Sequence, residues 1–271
     1  MTNMLVEGQL DNETTALSRV IVSNIKERER SLRREPPGSY FQFVYAKDTN
    51  GDMQIQRASN RQGFLVMDVY NLKMPPEMKK WVPNLLVNVA LGPPKHMGSF
   101  DRTNNILTIT IGVPVTNNKL DFNATLPWVK AVLRHELEHS RQPKTGNQTN
   151  VQDFPWPVEP GKALSGASWS KPDEVKAYLT HPSEIEGWVT GIYKYAKTAK
   201  MAFSDAMEIQ LDRAYKSMLK AGADEEKAKS VIDQTRELWL SYVKHRFPKA
   251  ILKEEVSFSM ERWQKLAGIS G

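Results

Sequence analysis

One eight-residue stretch, 132–139, constrains this 271-residue chain more than any other part of it. It contains His135, Glu136 and His139 in the pattern His-Glu-x-x-His. Residues four apart on an α-helix share a face, so both imidazoles can reach one metal ion while Glu136 reaches a water molecule beside it. Catalytic zinc sites take three protein ligands and leave one position for water. The pattern therefore predicts a helix with two zinc ligands and a base, and a third ligand from elsewhere.

The residues around the motif favour a buried helix. Trp128, Val129, Val132, Leu133 and Leu137 recur at helical spacing and predict one apolar face. A helix of about 126–142 follows, with Thr125 as its N-cap and Pro127 in its first turn. Buried histidines and glutamates are costly unless they have partners, which favours a metal site over an ordinary surface helix.

The rest of the chain predicts an α+β fold. Residues 13–35 have helical periodicity, 40–45 and 53–56 form a hairpin around Asn50-Gly51, and 105–115 alternates like a strand. Residues 85–91 are compatible with a strand or a short buried helix. A long loop rich in proline and glycine is predicted at 143–174. We expect a small mixed or antiparallel sheet packed on the motif helix, with a mostly helical C-terminal part.

Composition limits the other possible functions. The absence of cysteine excludes disulfides, thiolate metal sites and thiol catalysis. The formal charge of +6 comes from basic residues interleaved with acidic ones, so we do not expect nucleic-acid binding to be the main role. The N-terminal residues do not resemble a secretory signal and no apolar stretch is long enough for a membrane helix, so we expect a cytoplasmic protein without a membrane role.

The third ligand must come from a later element. The candidates are Glu184, Glu186, His181 and Asp173. Residues 181–188 are the best segment, because Pro182 can open a helix and Gly187 permits close approach of two helices.

This segment, together with the His-Glu-x-x-His motif, resembles the gluzincin group of zincin metallopeptidases. In that group the third ligand is a glutamate on a second helix, often in Glu-x-x-Ala. Residues 184–187 match this if Gly187 replaces alanine, which implies Glu184 as the ligand; the shorter form Glu-Gly would instead imply Glu186. The segment is also similar to poorly characterised, often phage-encoded, zincin-like proteins. One departure is Trp188, where many gluzincins have an Asp or Asn that orients a ligand histidine.

The resemblance covers about residues 105–194 and implies a zinc metallopeptidase. A zincin-like catalytic domain would occupy residues 1–200, with a third-ligand helix at about 182–198 and a helical C-terminal extension at 201–271. His135, His139 and Glu184 would bind Zn²⁺, and Glu136 would act as general base on a peptide or protein substrate. The strand at 107–111 would be the edge strand that binds extended substrates. The oxyanion would be stabilised by one of four residues: Tyr178, Tyr193, Tyr195 or His245.

A second hypothesis is a structural or interaction protein that keeps a zincin-like fold with little or no protease activity. Such a protein could be a virion or assembly component, and virion-associated if phage-encoded. The helical C-terminal part would then offer a docking surface for a protein partner. The intact Glu136 favours the enzyme, since a purely structural metal site needs no base.

Overall fold

The structure, a computed structural model, describes residues 2–27, 40–47, 53–59, 70–72, 84–91, 96–101, 103–116, 119–142 and 167–247. These residues form the predicted mixed α+β architecture. The helices are α1 (Thr2–Glu27), α2 (Phe122–Arg141), α3 (Pro172–Leu179), α4 (Pro182–Ala199), α5 (Phe203–Lys220) and α6 (Glu225–Arg246). The strands are β1 (Tyr40–Lys47), β2 (Met53–Ser59), β3 (Tyr70–Leu72), β4 (Asn84–Leu91), β5 (His96–Asp101), β6 (Ile106–Val113), β7 (Val115–Thr116) and β8 (Lys119–Leu120).

The main sheet in this part of the chain is mixed and has the strand order β3-β2-β1-β4-β6-β5. The predicted hairpin is confirmed, because β1 and β2 pair antiparallel and Lys47 lies opposite Met53. Residues 85–91 belong to strand β4, which settles the alternative in favour of a strand. It pairs parallel with β6 and antiparallel with β1, while β5 runs antiparallel to β6.

The prediction that residues 107–111 form an edge strand is wrong. They lie in β6, which is paired on one side with β4 and on the other with β5. Alternation of Leu107, Ile109 and Ile111 with threonines reports which face of the strand is buried, but says nothing about its neighbours in the sheet. The edge next to the motif helix is therefore β5.

Helix α2 begins earlier than predicted. Its N-cap is Asp121, whose carboxylate accepts a hydrogen bond from the Ala124 N–H at 3.0 Å, rather than Thr125. The Thr125 hydroxyl instead donates to the Asp121 carbonyl at 2.7 Å, and Pro127 lies inside the helix. Asp is a strong N-cap residue, so the helix extends back to it.

Other boundaries differ in smaller ways. Helix α1 begins at Thr2, well before position 13, and the predicted continuation over 28–35 lies outside the described residues. Helix α3 begins at Pro172, so it includes the last three positions of the loop predicted at 143–174. Residues 143–166 of that loop lie outside the described part of the chain. The C-terminal helical prediction corresponds to α5 and α6 as far as Phe247.

Two hydrophobic cores form in the described chain. The first joins α1 and α2 to β4, β6 and β8, with Ile21, Val87, Ile109 and Leu133 fully buried. The second joins α3, α4, α5 and α6, with Val175, Val189, Leu211 and Tyr242 fully buried. Helices α2 and α4, one from each core, pack against each other.

No helix among the described residues combines the length and the apolar composition that a membrane crossing requires.

Candidate metal centre

The two helices that carry the candidate ligands are oriented by their own cores. Val129, Leu133 and Leu137 of α2 pack into the first core, which turns His135 and His139 towards α4. Helix α4 begins with Pro182, and Glu184 lies in its first turn. A carboxylate is favoured there because the amide groups of a helix N-terminus carry partial positive charge.

His135, His139 and Glu184 converge on one point. The two Nε2 atoms are 2.9 Å apart, and the Glu184 carboxylate lies 3.6 Å from Nε2 of His135 and 3.5 Å from Nε2 of His139. Glu136 is outside this group, with its Oε1 3.9 Å from Nε2 of His135. The geometry therefore separates three ligand candidates from one carboxylate beside them.

The spacing of these three side chains is compatible with a bound metal ion. Ligand atoms about 2.0–2.2 Å from a tetrahedral zinc lie roughly 3.4 Å from one another. The two Nε2 atoms are 2.9 Å apart, and they lie 3.6 and 3.5 Å from the two different oxygens of the Glu184 carboxylate. One ligand atom from each residue can be chosen so that all three lie within 4.8 Å of one another. Two imidazoles and one carboxylate are also a donor set found in catalytic zinc sites. Among the described residues, this is the group of histidine and carboxylate side chains able to hold a metal.

The electrostatics of the cluster give its two glutamates different roles. Burial opposes ionisation of Glu184, but its contacts with His135 and His139 outweigh that and hold its pKa well below the usual range. Burial also disfavours charge on His139, yet hydrogen bonding and charge from Glu184 raise the pKa of His139 to about 9. Burial raises the pKa of Glu136, with the two histidines opposing the rise. Glu184 therefore stays ionised, whereas Glu136 binds a proton more readily than an ordinary glutamate.

A residue that the sequence reasoning missed, Gln142, orients one ligand. Its side-chain oxygen lies 2.9 Å from Nδ1 of His139, and its amide nitrogen donates to the Ser183 carbonyl at 2.9 Å and to Glu186 at 3.1 Å. Glu186 is buried and held by this amide, whereas Glu184 faces the histidines. The available signal was the position of Gln142, three residues after His139 and directly after the last residue of the helix.

His135 is positioned by packing. Trp188 contacts it edge-on, with ring centroids 4.7 Å apart, and stacks on Trp239 at 6.0 Å. A Cβ added at Gly187 would lie 3.0 Å from the His135 ring, which is the close approach expected of that glycine. Nδ1 of His135 is buried and has no hydrogen-bond partner among the described residues. At this position an aromatic ring packs against His135, in place of the Asp or Asn side chain that the resemblance implies.

Strand β5 passes directly over Glu136. A Cβ built on Gly98 would overlap the Glu136 side chain, including its Cδ at 2.8 Å. Glycine at this position is the reason that the carboxylate can lie against the strand. This contact, which joins residues 38 positions apart, had no signal in the sequence.

Of the four oxyanion candidates, Tyr178 lies at the cluster. Burial, together with the nearby charges of Glu184 and Glu136, raises the pKa of Tyr178. Tyr193 stacks on Phe247 at 4.6 Å, and Tyr195 contacts Trp128 at 4.2 Å. His245 is exposed in the last turn of α6.

The two remaining ligand candidates lie outside the group of three. Asp173 is exposed in the first turn of α3. Nδ1 of His181 lies 2.7 Å from the Ser183 hydroxyl.

Comparison with models of protein families, with curated proteins and with solved structures gave no significant match.

Proposed function

We propose that this chain is a zinc-dependent metallopeptidase with a zincin-like fold. One observation carries the proposal: His135, His139 and Glu184 converge from two helices, while Glu136 lies 3.9 Å from His135 and outside the group. A structural metal site would need only the three ligands and a fourth to close it. A second carboxylate, that of Glu136, is buried beside this incomplete ligand set and suits a catalytic base.

The three converging side chains would hold the ion, and Gln142 would fix the orientation of His139. A zinc ion held there would supply a Lewis acid that activates water and polarises a peptide carbonyl. Electrostatic interactions in a catalytic site are stronger when the surrounding groups exclude water, so such a site needs to be buried. Burial of His135, Glu136 and Glu138 supports that requirement.

Glu136 would accept the proton of the attacking water and return it to the leaving amine. Its burial raises its pKa, which makes it a better base near neutral pH than an exposed glutamate. Tyr178 keeps its proton for the same reason and can donate a hydrogen bond to a developing oxyanion. Glu136 of α2 and Tyr178 of α3 both line the cavity beside the cluster.

The substrate would bind as an extended peptide along β5. In the described sheet, β5 pairs with β6 on one side and has no strand on the other. Its exposed residues include Met97, 57% accessible, and Gly98 lies against Glu136. Peptide binding to a free sheet edge uses backbone hydrogen bonds and tolerates many sequences.

Metal content of the purified protein, measured with and without the Glu136→Gln substitution, tests the proposal. We expect about one zinc per chain in both proteins. Wild type should cleave unstructured protein substrates, and Glu136→Gln should lose at least about 100-fold in rate, the usual contribution of a positioned base. A wild-type protein that stays metal-free in zinc-containing buffer would overturn the proposal.

The structural alternative makes a different prediction in the same experiment. A protein that only docks a partner would cleave no peptide, whether or not it binds zinc. Zinc binding without cleavage of a broad peptide mixture would therefore favour the structural role over proteolysis.

A further inference from the structure

A cavity of about 690 Å³ extends from the candidate metal centre to helix α5. His135 and Glu136 line one end of it, and Gln210, Arg213 and Ser217 of α5 line the other. Helix α4 contributes Gly191 to the lining and packs against both α2 and α5. The cavity is thus continuous between the reacting groups and a helix that carries no candidate ligand.

Most of the cavity surface is apolar, but its far end holds a cation. The guanidinium carbon of Arg213 lies 3.7 Å from the centroid of the Trp128 ring. Tyr195 packs against the same indole, with ring centroids 4.2 Å apart. A guanidinium stacked on an indole is held in one orientation and keeps its N–H groups available for an anion.

Arg213 lacks a carboxylate partner among the described residues. No acidic side chain there lies within ion-pair distance of Arg213. The charge of the adjacent Asp212 partly offsets the effect of burial on the pKa of Arg213, but Asp212 forms its ion pair with Lys216 at 2.8 Å. Glu136, at the opposite end, is the single carboxylate among the described residues that line the cavity. Burial lowers the pKa of Arg213, which is the expected effect of removing a cation from water without a bound anion. The far end of the cavity is therefore positively charged and complementary to an anion.

We propose that Arg213 binds a carboxylate of the peptide substrate and so sets the cleavage preference. The inference rests on the proposed protease function, because it assumes that the scissile bond of the substrate lies beside Glu136. Trp128 precedes His135 by seven residues on α2, which places the two about 10 Å apart along the helix. An extended peptide advances roughly 3.3 Å per residue. The carboxylate therefore belongs to a residue within about three positions of the scissile bond.

Two parts of a peptide carry this chemistry. One is the side chain of an Asp or Glu near the scissile bond, which would make the protein an endopeptidase with acidic preference. The other is the C-terminal carboxylate, which would make it release short C-terminal fragments. Both would form a paired, charge-assisted hydrogen bond with the guanidinium.

Binding of three matched peptide libraries separates these sources without relying on cleavage. All are random octapeptides lacking Asp and Glu at the varied positions. The first is acetylated and amidated, the second adds one fixed Glu, and the third has a free C-terminal carboxylate. Each is passed over immobilised Glu136→Gln protein, zinc-loaded or treated with chelator, and retained peptides are quantified by mass spectrometry.

We expect the second or third library to be retained about tenfold more than the first, as one charge-assisted hydrogen bond predicts. The preference should persist with chelator, so it cannot come from the metal. Adding Arg213→Met should reduce retention to the level of the first library, while Arg213→Lys should keep part of it. Lys220→Met is the control, because Lys220 is an exposed cation on the same helix.

Equal retention of all three libraries by the Glu136→Gln protein would overturn the inference, as would a preference that Arg213→Met leaves unchanged. If circular dichroism shows that Arg213→Met does not fold, Arg213→Gln takes its place. A carboxylate preference in a protein that cleaves nothing would preserve this site and overturn the proteolytic function. Cleavage without a carboxylate preference would do the reverse.

Discussion

The two halves of the described molecule are stabilised differently from the boundary between them. The sheet half buries aliphatic strand residues such as Val87 and Ile109 against α1 and α2. The helical half buries a more aromatic core, with Trp239 and Tyr242 among α3, α4, α5 and α6. Each half therefore has an apolar core that can drive its own folding.

The boundary, where α2 meets α4, combines polar groups and glycines with aromatic contacts such as that of Trp128 with Tyr195. Gly191 faces the Ala131 carbonyl, Gly187 faces the ring of His135, and Gln142 links α2 to the first turn of α4. The candidate metal ligands also come from both sides of this boundary. The comparison teaches that the candidate site lies where the two cores meet, so a bound ion would join two halves that are otherwise connected by packing and hydrogen bonds.

Removing the ligand from the helical half should have the largest effect. We expect Glu184→Ala to abolish stoichiometric zinc binding, since it leaves two histidines from one helix. Glu186→Ala is the matched variant two residues away; by disturbing Gln142 it should weaken binding about 10–100-fold without abolishing it. Metal titration of the two proteins checks this. Equal losses would mean that both carboxylates contact the ion.

Zinc should also stabilise the wild type, by about 2.7 kcal/mol at a free concentration 100 times its dissociation constant. Thermal unfolding with zinc and with chelator measures the difference. The Glu184→Ala protein should show no such difference. A zinc effect that survives this substitution would place the stabilising ion elsewhere.

Gly191→Ala should disturb the packing of α2 against α4 more directly than the other substitutions. The added Cβ would lie 2.8 Å from the Ala131 carbonyl oxygen, a backbone atom that cannot turn away. We expect a loss of about 1–3 kcal/mol in the free energy of unfolding, typical of overpacking. Gly187→Ala meets only the His135 ring, so it should cost less stability but more zinc affinity. Denaturant unfolding and metal titration of both variants test the contrast.

Gly98→Ala should affect the reaction and leave both cores intact. The new Cβ overlaps the Glu136 side chain, which must move from its place against β5. We expect kcat to fall by about 10–100-fold, comparable with partial loss of a general base. Zinc content and the unfolding midpoint should stay near those of wild type. A variant with unchanged kcat would show that Glu136 works from another position.

Asp11→Asn should weaken the boundary by the smallest amount. Asp11 of α1 pairs with buried Lys194 of α4 at 3.2 Å and lies 3.7 Å from Arg134 of α2. Losing the charge leaves Lys194 with its bond to the Asp11 carbonyl, so we expect a loss of about 1–2 kcal/mol. Asp212→Asn, which breaks a more exposed pair with Lys216, should cost less than about 0.5 kcal/mol. Equal effects in denaturant unfolding would contradict the importance of this contact.

Local patterns in the sequence predict much of this structure. Because His135 and His139 are four residues apart, a helix places both on one face. Asn50-Gly51 between two β-prone segments predicts a hairpin. Pro182 marks the start of α4, which carries Glu184. Each of these features depends on residues close together in the chain, where the physical rules are strong.

The remaining features depend on contacts that the chain makes over long distances. The neighbours of β6 follow from sheet order, which alternation along one strand does not encode. The contact of Gly98 with Glu136 and the position of Tyr178 near Glu184 follow from the arrangement of separate elements. The stacking of Arg213 on Trp128 joins helices 85 positions apart and had no sequence signal either.

The close fit of α4 against α2 also restricts how this chain can evolve. Gly187 and Gly191 are spaced four apart, as are the residues they face, Ala131 and His135. A larger residue at position 191 would have to arise together with a compensating shift of the helix that carries Ala131. Chains that share this site should therefore combine Gly-x-x-x-Gly in the helix of the third ligand with His-Glu-x-x-His in the motif helix. That joint pattern gives a more selective sequence signature than His-Glu-x-x-His alone.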